Sequence, residues 1–205
     1  MGVLLTPCYF GSISFWTALL SNHEVFFEIW GSYQKQTLRN RSNILGANGK
    51  LGLTIPVNYS QKNRQLLKDV QIANTSNWQE LHLKSLASAY QMSPFYEYYI
   101  DAIIELFDEK WDSLLELNLA TIRCVLNCLD LDLGYHLTTH FEKSPENSQD
   151  LRYLAGKNAP SPFILKSYTQ VFSQKFGFTE ELSILDLLFN EGPNTENILL
   201  SQLNG

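Results

Sequence analysis

The stretch LSILDLLFNEGP, residues 182–193, sets one carboxylate, Asp186, in an otherwise apolar run. At helical spacing Leu182, Leu185, Asp186, Phe189 and Asn190 share one side. Ile184, Leu187 and Leu188 cover much of the rest, so little of the helix is left for water. A carboxylate buried there needs a cation or hydrogen-bond donors. Residues 35–41 hold the cations best placed to act chemically: Lys35, Arg39 and Arg41, with Asn40 between the arginines. Arginine offers a planar fork of donors for phosphate or carboxylate, and lysine a mobile point charge. His82 lies four residues from both Trp78 and Leu86, on one helix face, where it is either a core residue or a general acid–base. Asp186, with Asn190 converging on it at i+4, either neutralises Arg39 or Arg41 and anchors that loop, or orients His82 or a substrate hydroxyl. Both arrangements bring Asp186 to the basic loop. Tyr90, Tyr168, Gln170 and Phe172 could stack on a base or sugar, although aromatics at such spacing also build cores.

The net charge of −6 argues against generic nucleic-acid binding, but it hides a segregation. Residues 29–68 contain no Asp or Glu, while Lys35, Arg39, Arg41, Lys50, Lys62, Arg64 and Lys68 give +7, leaving −13 for the rest. Residues 101–150 hold eleven acids against Lys110, Arg123 and Lys143, and a second acid-free stretch, 151–179, carries Arg152, Lys157, Lys166 and Lys175. A positive patch on an acidic protein selects phosphate or carboxylate groups. Basic loops facing acidic helices, within the fold or across an oligomer, would give the same map.

Other chemistries find no support. There is no P-loop, GxGxxG, HExxH, GxSxG or zinc spacing, and His136 and His140 stand in a threonine-rich stretch of poor helix formers. No metal site is expected, and no motif names a cofactor. Cys8, Cys124 and Cys128 make an odd count and read as buried free thiols, which suits a reducing cytoplasm. Residues 2–22 are uncharged, but Pro7 and Gly11 interrupt them and no Lys or Arg precedes them. They read as buried strand, turn and helix, not as a membrane span or signal peptide. A single cytoplasmic domain over residues 1–205 is expected.

Residues 3–7, 24–30, 51–57 and 69–73 read as strands and 14–20 as a short helix, with a polar loop over 31–44 and the turn GANG at 46–49. From Ser76 the period becomes helical. Ser76 and Gln79 match a capping box, Pro94 ends that helix, and 95–108 forms a second. Leu115, Leu119, Ile122, Leu126 and Leu129 mark the third. Residues 134–162 look like loop, Gly192 and Pro193 stop the Asp186 helix, and 195–203 is a last amphipathic turn. N-terminal strands with a short helix, then a mostly helical half packed on the sheet, give an α/β or α+β fold.

TPCYFG, YQKQTLRNRSNI, LTIPV, the W-x(3)-H of Trp78 and His82, AYQMSPFYEYY and FGFTEELSILDLLFNEGP together resemble the WbqC-like protein family. The resemblance runs along essentially the whole chain, matches Lys35 and the Asn40–Arg41 pair, and is most specific in its last motif. It implies a bacterial protein whose relatives are often encoded in O-antigen or other surface-polysaccharide clusters, and it implies no particular reaction. The chain departs from the family at Thr6-Pro7, where members commonly have Gln-Pro. It departs again at 142–160, a shortened substitute for a glycine-bearing segment of longer members.

The expectation is a group-transfer enzyme, or enzyme subunit, of surface-polysaccharide assembly. Lys35, Arg39, Asn40 and Arg41, with Asn190, Tyr168 and Gln170, would bind an anionic, nucleotide-linked sugar or acyl donor. His82 and Asp186 would be the acid–base pair; neither nucleic acid nor membrane insertion is involved. The alternative is a non-catalytic binding or scaffold protein of such a pathway, its basic loop set against acidic helices of a second copy in a homo-oligomer. An enzyme should gather residues 35–41, His82 and Asp186 around one open pocket.

Overall fold

The uncharged N-terminus divides into strand β1 (Gly2–Leu5), a loop, and helix α1 (Ile13–Leu20). The structure, a computed structural model, describes residues 2–59 and 64–203, so Lys62 lies outside the described residues. Helix α1 is apolar on nearly every side and buried from Ile13 to Leu19, so it runs through the core. Ser12 starts it, its Oγ accepting from the Phe15 amide at 3.4 Å. No helix among the described residues is long and apolar enough to cross a membrane.

Strand β2 (Val25–Phe27) pairs in parallel with β1, Val3 opposite Val25. Next come the antiparallel hairpin β3 (Arg41–Gly46) and β4 (Gly49–Thr54), then the small pair β5 (Val57–Asn58) and β6 (Gln71–Ile72). Helices α2 (Trp78–Tyr90), α3 (Tyr96–Asp108) and α4 (Leu114–Cys128) follow. Strands β7 (His136–Leu137) and β8 (Ser148–Asp150) complete a four-stranded parallel sheet in the order β7-β2-β1-β8. The chain ends with α5 (Ser173–Phe176), α6 (Ile184–Glu191) and α7 (Thr195–Ser201). The mixed α/β architecture with a mostly helical second half is as expected.

Three local expectations need correction. Residues 41–44, expected to end the polar loop, belong to strand β3; its polar residues Arg41 and Asn43 lie on the half-exposed side and disguise the buried Ser42, Ile44 and Leu45. Gly49, at φ 106°, closes the hairpin in a conformation that glycine adopts freely. Residues 134–162 contain two strands, both at sheet edges and too short and polar to alternate visibly. Helix α2 starts after Asn77 without any side-chain cap, so the Ser76–Gln79 box is not formed. The serine cap appears instead at α4, where Ser113 Oγ accepts from the Glu116 amide at 3.4 Å. Gly192 does end α6, at φ 55°, and a Cβ there would stand 2.5 Å from the Phe95 ring.

Candidate functional site

Asp186 is buried, as the apolar run around it implies, but what meets it is not a cation. The Tyr90 hydroxyl donates to Oδ1 at 2.8 Å, while the Tyr168 hydroxyl and Gln170 Nε2 donate to Oδ2 at 2.7 and 3.1 Å. Asn190 Nδ2 donates to the Asp186 carbonyl at 2.7 Å. Neither Arg39 nor Arg41 reaches the carboxylate, so the expected ion pair is replaced by three neutral donors. Burial pushes the Asp186 carboxyl up to about 6, against the pull of those donors. His82 is closed off separately. Its Nδ1 shares a hydrogen bond of 2.9 Å with the Tyr9 hydroxyl, and Trp78 and Phe107 pack around the ring. Burial pulls its pKa down to about 4, so the imidazole is neutral. His82 and Asp186 therefore sit in separate hydrogen-bond networks and share no bond.

The basic loop is similarly divided. Arg39 is buried, donates to Thr37 Oγ1 at 3.3 Å, and has no carboxylate within ion-pair distance among the described residues. Asn40 is buried and holds the Ile55 carbonyl at 2.9 Å. Lys35 is exposed over the Tyr59 ring, 4.8 Å from its centroid. Tyr168, Gln170 and Asn190 belong to the Asp186 network. Of the ligand-binding residues read from the sequence, Arg41 lines a cleft.

That cleft has a recognisable place in the fold. From β1 the chain passes to β2 and then to β7 on one side, whereas β8 joins β1 on the other. The carboxyl ends of β1 and β8 thus bound the crevice where strand order reverses, the usual ligand position in an open parallel sheet. The segments leaving those ends are laced to the loop before β3: Leu38 N donates to the Ala155 carbonyl at 2.9 Å, and Tyr9 N to the Leu38 carbonyl at 3.0 Å. Between these segments and the hairpin lies a cleft of about 130 Å³. Arg41 and Lys50 enter it from β3 and β4, Lys157 from the segment after β8, and Glu181 closes it from the C-terminal part.

The two acid-free stretches therefore meet here, one supplying Arg41 and Lys50, the other Lys157. None of these cations, nor Glu181, makes an ion pair among the described residues. Arg41 Nε is buried without a hydrogen-bond partner, and so is Ser42 Oγ beside it. Three cations against one carboxylate leave the cleft at +2, a charge suited to an anion. Backbone strain gathers at the same place. Six described non-glycine residues have positive φ, and three of them, Gln36, Asn158 and Glu181, line this cleft. Left-handed backbone of this kind is costly and concentrates at ligand clamps and active sites. Arg41 and Glu181 also border a neighbouring, essentially filled pocket whose lining includes Tyr9, with His82 behind it.

Two roomier hollows lack such convergence. The one of about 710 Å³ between α3 and α4 sets Arg123 among Glu105 and Glu109, and the one of about 350 Å³ is lined by Glu28, His140 and Glu142. Arg152 is neutralised, with Nη2 2.6 Å from Asp150 and Nη1 3.6 Å from Glu28. No group of three or more metal-ligating side chains occurs among the described residues. Lys50 and Lys157 were legible only as members of the two acid-free stretches. Nothing in the sequence singles out Glu181.

The model of the WbqC-like protein family matches residues 7–157, a span that includes Arg41, Lys50 and Lys157 and ends before Glu181 and Asp186. No curated protein and no solved structure matched the chain. With most of its length covered by that match, the chain belongs to the WbqC-like protein family.

Proposed function

We propose that the protein is a single-domain, cytoplasmic group-transfer enzyme, or enzyme subunit, of bacterial surface-polysaccharide assembly, which holds an anionic donor in the Arg41–Lys50–Lys157 cleft. The donor class is a nucleotide-linked sugar or an acyl compound, whose phosphate or carboxylate takes the place of the missing counterion. One observation carries the reading: two separate stretches without acids deliver Arg41 and Lys50 from one, and Lys157, more than a hundred residues further on, from the other, to one strained cleft where none of them has a counterion among the described residues. The pathway comes from the company that family members keep; the chemistry comes from the cleft.

Calorimetric titration of wild type and Arg41→Ala with nucleotide sugars, acyl donors and inorganic phosphate tests the reading. A charge-assisted hydrogen bond contributes about 1.5–3 kcal/mol, so the variant should bind roughly 10- to 150-fold more weakly while keeping its unfolding midpoint. Equal binding by both proteins, or no binding of any anion by wild type, refutes it. A change of oligomeric state in Arg41→Ala, with no small-molecule binding throughout, would favour the scaffold alternative.

A further inference from the structure

The cleft keeps charges of both signs without letting them pair. Glu181 lines it in company with Arg41, Lys50 and Lys157. Had the site only to neutralise itself, a carboxylate touching Lys50 or Arg41 would suffice. Instead the Glu181 carboxylate is turned to a hydroxyl. Ser14 Oγ donates to Oε1 and lies 2.6 Å from Ser161 Oγ, while the second carboxylate oxygen receives no hydrogen bond from the described residues.

Glu181 is also held in place from both sides. Lys50 Nζ donates to the Glu180 carbonyl at 2.8 Å, Ile13 N to the Leu182 carbonyl at 3.1 Å, and Ser183 N to the Asn43 carbonyl at 2.7 Å. The chain between these ties adopts φ 54° at Glu181, a conformation that a glutamate takes only at some cost. A lysine that binds the main chain next to an acid, and not the carboxylate itself, is arranged to place that acid.

We propose that the ligand of this cleft carries a hydrogen-bond donor, a hydroxyl or an ammonium, close beside its anionic group, and that Glu181 receives it. The inference rests on the anion-binding reading above and narrows its ligand class. The volume agrees: about 130 Å³ is on the order of four water molecules at ~30 Å³ each. That is room for one phosphate or carboxylate and one polar neighbour, with the remainder of a larger ligand lying outside. Cations bind the anionic end, the unoccupied carboxylate oxygen accepts from the donor, and a simple anion satisfies half of the site.

Three small probes separate the two halves: methyl phosphate, glycerol 3-phosphate and phosphoethanolamine, titrated calorimetrically into wild type, Arg41→Ala, Glu181→Gln and Glu181→Ala. Wild type should bind at least one donor-bearing probe about tenfold more tightly than methyl phosphate, and which one names the donor. Glu181→Gln should abolish a preference for the ammonium, and Glu181→Ala a preference for either probe, with methyl phosphate bound at least as well as by wild type. Arg41→Ala should weaken all three probes together. Equal affinity of wild type for the three probes, or a preference that survives in Glu181→Ala, overturns the inference while leaving the anion site standing. Absence of all binding by wild type overturns both. Circular dichroism of each variant shows that the comparison is made between folded proteins.

Discussion

The Asp186 network makes a prediction whose sign separates it from the ion pair that the sequence suggests. Burial raises the carboxyl from its ordinary 3.8 to about 6 in the folded chain. Between those values the folded protein holds a proton that the unfolded chain has released. Its contribution to stability is therefore fully present below about 3.8 and is lost as pH rises through about 6. At 1.36 kcal/mol per pH unit, the whole change comes to about 3 kcal/mol. Asp186→Asn cannot titrate, so subtracting its stability from that of wild type cancels most other ionisations. Urea denaturation followed by tryptophan fluorescence at pH 7, 6, 5 and 4 gives the difference directly. Wild type should gain on the variant as the pH falls, by most of that ~3 kcal/mol at pH 4. A carboxylate paired with Arg39 or Arg41 would have its pKa below 3.8, and wild type would then lose ground on acidification. A flat or reversed difference refutes the reasoning.

His82 runs the other way. Burial takes it from 6.5 to about 4, so its contribution is present above 6.5 and is lost as pH falls toward 4. Wild type should lose up to ~3 kcal/mol relative to His82→Gln over that range, measured by the same denaturation series. Arg152→Ala should destabilise by about 3–5 kcal/mol, because it strands the buried Glu28 without a cation. Adding Glu28→Gln should recover part of that loss in thermal unfolding. Arg152→Lys should restore little, since a lysine cannot reproduce the grip on Asp150 and the Glu142 and Lys143 carbonyls.

What the sequence disclosed follows from how its signals are carried. Long helices announce themselves by period: Leu115, Leu119, Ile122 and Leu126 repeat over enough turns to place α4 within a residue or two. Strands β7 and β8 have two and three residues, too few for alternation to register, yet β8 creates the crevice on which the site depends. Charge behaved similarly. Counting acids and bases located two cationic stretches, but only folding shows that Arg152 of the second is consumed by Asp150 and Glu28 while Lys157 is left to the cleft. Asp186 was conspicuous for a sound reason, since a carboxylate in an apolar helix must be compensated. Its compensation by two tyrosines and a glutamine was not legible, because neutral donors carry no charge signature in a sequence. Glu181 stands in a polar stretch where an exposed glutamate is ordinary, and its left-handed backbone leaves no mark on its residue type.

The conspicuous acid and the inconspicuous one are nevertheless connected. Asp186 fixes Gln170, and Gln170 clamps both backbone groups of Thr179, donating to its carbonyl and accepting from its amide at 2.9 Å each. Two residues later the chain reaches Glu181. The anchor that Asp186 provides is thus directed to the C-terminal segment and not to the arginine loop. A carboxylate suits that task better than an amide: Tyr90, Tyr168 and Gln170 all donate to it at once, whereas an amide would turn a donor of its own toward one of them. The price is the raised carboxyl pKa, a stability cost borne at neutral pH. Such a cost is intelligible if what it secures is the position of a second carboxylate beside Arg41.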